Sequence, residues 1–87
     1  MTTKAPSSVR PADAASPESI AYSAVEGIPT LEPHDLDRLG YCVWIWLTTR
    51  RDSLEQAIKN ANARLTISQE EATRRIRERL QQLGVSL

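Results

Sequence analysis

The chain has no phenylalanine, one cysteine, one histidine and three scattered glycines among its 87 residues, and its formal charges cancel. Each shortage removes a class of function. A lone cysteine, Cys42, allows no internal disulfide. With one histidine, His34, it is too small a set for a tetrahedral structural zinc site. Gly27, Gly40 and Gly84 stand too far apart to form a loop that cradles phosphates. No apolar run reaches the roughly 18 residues that span a bilayer. The N-terminus, built from Ala, Ser, Pro and Thr, holds no hydrophobic signal core. Eleven basic residues against eleven acidic ones create no global field toward nucleic acid or membrane. The expectation is a soluble, cytoplasmic protein with no cofactor, no membrane partner and no small-molecule substrate.

Catalysis lacks its parts as well. His34 stands beside Asp35, but the nearest thiol, Cys42, lies two helical turns away inside an apolar run. A catalytic constellation needs a base, an orienting group and a nucleophile converging on one pocket. The sequence therefore predicts no enzyme, with Cys42 read as a small buried hydrophobe.

What the chain does have is concentrated. Residues 41–49, YCVWIWLTT, hold both tryptophans, one of the two tyrosines and the cysteine. Charge is also unevenly placed. Residues 1–49 carry three bases and six acids, a net of −3, and residues 50–87 carry eight bases and five acids, a net of +3.

Residues 1–32 read as a flexible arm. MTTKAPSSVRPADAASP has one large aliphatic residue, Val9, and cannot offset its ordering entropy by burial. Within the arm a short helix is possible over 17–26, with Ser16 as cap, Pro17 at the first position and Gly27 as terminator. Nine or ten residues are marginal alone in water. IPTLEP follows as an extended linker.

Residues 33–87 read as a helical domain, with helices near 34–50, 53–65 and 69–83. Leu36, Leu39, Val43, Trp46 and Leu47 recur at three- and four-residue spacing and fall in one arc of a helix. Ser53 with Gln56, and Ser68 with Glu71, have the spacing of capping boxes. Leu54, Ala57, Ile58, Ala61 and Leu65 form the stripe of one helix. Ala72, Ile76, Leu80 and Leu83 form that of the next. The predicted class is an all-α domain of three to four helices behind an N-terminal arm. The competing reading is α+β, with a strand at 41–49, because Tyr, Val, Trp, Ile and Thr favour strands. Such a strand would need a partner from RLTIS or GVSL.

If the aromatic run is helical, Tyr41, Trp44 and Ile45 lie outside the core arc. A helix apolar nearly all round is covered on more than one side. Either the N-terminal helix supplies that cover or another molecule does. About 55 foldable residues without a staple make a marginal core, and self-association is a common source of support. The first functional expectation is a protein-binding regulatory module, docking on another protein or on itself as a homodimer through Tyr41, Trp44 and Ile45.

The second expectation rests on arginine. Arg74, Arg75, Arg77 and Arg79 crowd the last predicted helix and would serve as a phosphate-contacting face. The competing reading is a solvated helix knitted by Glu70–Arg74, Glu71–Arg75 and Arg74–Glu78 pairs at four-residue spacing. RLTISQEEATRRIRERLQQLGVS resembles the strand and first helix of a ribbon-helix-helix repressor, although the chain as given stops at Leu87, where the second helix would start. SLEQAIKNANARLTISQEEATRRIRERLQQLGV resembles the two-helix core of a helix-turn-helix or winged-helix protein, with Ser53–Leu65 supporting and Gln69–Leu83 as recognition helix. That resemblance implies a small DNA-binding regulator. It departs from the pattern in having no turn glycine and in placing Glu70 and Glu71 at the end that would face bases. A third reading is a small component of a larger particle, such as a phage or secretion assembly.

Overall fold

A computed structural model of the protein describes residues 16–87, and the expected disorder of the first fifteen residues lies outside that range. Among the described residues the chain is all-α. Helix α1 spans Pro17–Val25, α2 Pro33–Thr49, α3 Leu54–Asn60 and α4 Gln69–Gln82. None is long and apolar enough to cross a membrane.

Three of the four helices start on a serine, as their sequences predict. Ser16 Oγ accepts from the Ser19 amide at 3.2 Å, Ser53 Oγ from Gln56 at 3.1 Å and Ser68 Oγ from Glu71 at 3.0 Å. Each bond satisfies one amide that the helix geometry leaves without a partner. The reciprocal half of the capping boxes is not made. Gln56 reaches Asn60 instead, and Glu71 is taken by two arginines. Helix α2 starts without a side-chain cap, and Pro33 opens it. Proline suits that place because its missing N–H is one fewer donor to satisfy.

The aromatic run lies in helix, not strand. Helix α2 continues unbroken from Pro33 to Thr49, so the α+β alternative is corrected. Burial decides against local β preference. Leu39, Val43 and Trp46 sit in the core on one arc, and each such side chain contributes about 1.5–3 kcal/mol when removed from water. Leu36 and Leu47 flank them, half-buried. The hydroxyls of Thr48 and Thr49 turn back onto the Ile45 carbonyl, each at 2.9 Å, and so suit these strand-prone residues to a helix end. Arg50 closes the helix in the left-handed region (φ 50°), its amide donating to the Trp46 carbonyl at 2.7 Å.

The helices form a ring. Helix α1 packs on α2 and α4, and α3 packs on the same two, while α2 and α4 are not packed on each other. The interior holds Val25, Leu39, Val43, Ile76 and Leu80, with Leu54 and Ile58 from α3. Helix α1, read from sequence as part of the arm, buries Ala21, Ala24 and Val25 in this core. Its nine residues are held by packing, which offsets their marginal intrinsic helicity.

The third helix is shorter than its apolar stripe implies. It ends at Asn60, and Asn62 adopts a left-handed conformation (φ 55°) that asparagine tolerates well. The chain then runs extended beside residues 29–31. Leu31 donates to the Arg64 carbonyl at 3.0 Å, Thr66 donates to the Pro29 carbonyl at 3.1 Å, and Thr30 and Leu65 form an isolated antiparallel bridge. The segment that resembles a repressor ribbon thus pairs within its own chain.

Candidate functional site

Helix α2 presents one side to neither of its neighbours. Asp37, Arg38, Tyr41, Ile45, Thr48 and Thr49 recur there at helical spacing, and all are exposed. Tyr41 is 51% exposed and Ile45 39%, the two large apolar residues in the middle of an otherwise polar stripe. Trp44 is their half-buried companion, packed in part against the core. Its ring meets that of Tyr41 edge to face, with centroids 5.8 Å apart at 82°. That arrangement matches the negative face of one ring with the positive edge of the other. The three residues singled out by sequence therefore lie together. Tyr41 and Ile45 point outward, and Trp44 braces Tyr41 from below.

A groove of about 260 Å³ runs along the α3 side of this face, lined by Tyr41, Cys42, Ile45, Trp46, Thr49 and Ala57 among others. Its floor is fixed. Trp46 Nε1 donates to the Asp52 carbonyl at 2.7 Å, tying the ring to the α2–α3 loop. The Arg50 guanidinium lies 4.5 Å from the ring centroid and donates to the Ser86 carbonyl at 2.8 Å. A cation over an indole face is attracted by the ring quadrupole, so Trp46, Arg50 and the C-terminal segment stiffen one another. Burial pushes the Cys42 thiol up from its ordinary value. It lines the groove as a small apolar side chain whose thiolate form is disfavoured.

The four arginines of α4 all have side-chain partners. Arg74 spans Glu71 at 2.6 Å and Glu78 at 3.0 Å, Arg75 meets Glu71 at 2.8 Å, Arg77 meets Glu55 of α3 at 2.6 Å, and Arg79 meets Gln82 at 3.3 Å. Two of the pairings expected from four-residue spacing form, and Arg74 engages Glu71 where Glu70 was expected. The hydrogen bonds from Arg74 and then Arg75 hold the Glu71 carboxyl down at about 2, against an ordinary 4.5. A carboxyl lowered in the folded state stabilises fully above its unfolded value, and loses that contribution as pH falls toward its folded value. Between about pH 5 and pH 2 this network is therefore expected to weaken. Thermal melts at pH 7 and pH 3 should show a smaller acid-induced drop in Tm for Glu71→Gln than for the wild type. An equal drop would remove Glu71 from the acid response.

A second polar cluster shows in the sequence only as the neighbouring pair His34 and Asp35. Asp35, in the first turn of α2, is fully buried, and Arg64 from the extended segment reaches it. Arg64 Nε donates to Oδ1 at 3.4 Å, and Nη2 stands 3.2 Å from Oδ2 without hydrogen-bond alignment. Burial raises the Asp35 pKa, but hydrogen bonds from the Arg64 side chain and backbone, with its charge, outweigh that and lower it overall. His34 leans on the same guanidinium, Nε2 to Nη2 at 3.2 Å, and faces Glu32 at 3.6 Å. Among the described residues no three His, Cys, Asp or Glu side chains are placed to hold a metal ion. The cluster ties the start of α2 to Arg64 of the extended segment. A lone charged residue amid an apolar stripe would have signalled it, but Asp35 precedes the stripe and reads as an ordinary first-turn acid.

No family model, curated protein or solved structure matches the chain.

Proposed function

We propose that the protein is a non-enzymatic protein-binding module that docks through the Tyr41–Trp44–Ile45 face of α2. The observation that supports this most is the exposure of Tyr41 and Ile45 on the one side of α2 that α1 and α3 leave open. Tyrosine braced by a second ring is a low-entropy anchor, since little side-chain freedom remains to be lost on binding. The adjoining groove offers an apolar seat with fixed walls. Aromatic anchors of this kind carry about 2 kcal/mol or more of binding energy at an interface.

The arginine-rich helix is the less favoured surface. Arg74, Arg75 and Arg77 are each engaged by carboxylates, and contact with phosphates would displace those partners. Glu70 and Glu71 in the first turn of α4 would also face any nucleic acid approaching that end.

The double variant Tyr41→Ser with Ile45→Ser tests the docking reading. It is expected to lose association with the protein's partner while keeping its helix content by circular dichroism. Undiminished association in the double variant would overturn the assignment. Steeply salt-sensitive retention of the wild type on duplex DNA would move the function to the arginines.

A further inference from the structure

We draw no further inference here: the strongest candidate, the exposed Tyr41–Ile45 side of α2 with its adjoining groove toward α3, belongs to the surface already described, and nothing in the structure shows what covers it.

Discussion

Leu39→Ala is expected to lower the folding free energy by about 2–5 kcal/mol, whereas Tyr41→Ala, two residues along the same helix, should cost about 1 kcal/mol or less. Leu39 is fully buried and among the largest side chains in the core. Its truncation removes transfer energy and leaves a cavity, and the neighbouring helices relax only in part. Domains of this size hold on the order of 5 kcal/mol in total, so the variant should populate the unfolded state even without denaturant. Tyr41, half in solvent, loses little more than its edge-to-face contact with Trp44. Urea titrations followed by the fluorescence of Trp44 and Trp46 would separate the two. Equal losses would place Tyr41 among the residues that hold the fold together and leave the docking surface without its anchor. Trp44 is a poorer probe of docking than Tyr41, since its ring packs partly against the core and truncating it mixes both effects.

The helices were readable because their signals are local. Serine caps, Pro17 and Pro33 at first positions, and recurrent apolar spacing all depend on residues within a turn or two. The helical state of 41–49 was open on propensity alone and was decided by what Leu39, Val43 and Trp46 touch. The end of α3 is hidden from a local reading because Leu65 falls at helical spacing from Ala61 and Ile58. What overrides that spacing is pairing with residues 29–31, more than thirty positions away, which no window around Leu65 contains. Tyr41, Trp44 and Ile45 could be picked out as lying outside the core arc. Which of them α1 would cover could not be, since that depends on how closely α1 approaches.

The closeness of that approach rests on Gly40. A Cβ built there would lie 2.5 Å from both Cδ1 and Cε1 of Tyr22, and 3.2 Å from its Cγ. These are atoms of the ring body, so relief requires Tyr22 to swing away or α1 to lift from α2. In an open helix, Gly→Ala gains about 1 kcal/mol from propensity. Against that, overpacking costs about 1–3 kcal/mol, so Gly40→Ala should be destabilising by roughly 1 kcal/mol net, and Gly40→Val by about 3 kcal/mol or more. The cause can be isolated by a double-mutant cycle. In a Tyr22→Ala background the ring is gone, and Gly40→Ala should reverse sign and stabilise by up to about 1 kcal/mol. Stabilisation by Gly40→Ala in the wild type would mean the α1–α2 contact is loose. Helix α1 would then be free to shift along α2, and Tyr41 and Ile45 would no longer be the fixed remainder of a helix covered on its other sides.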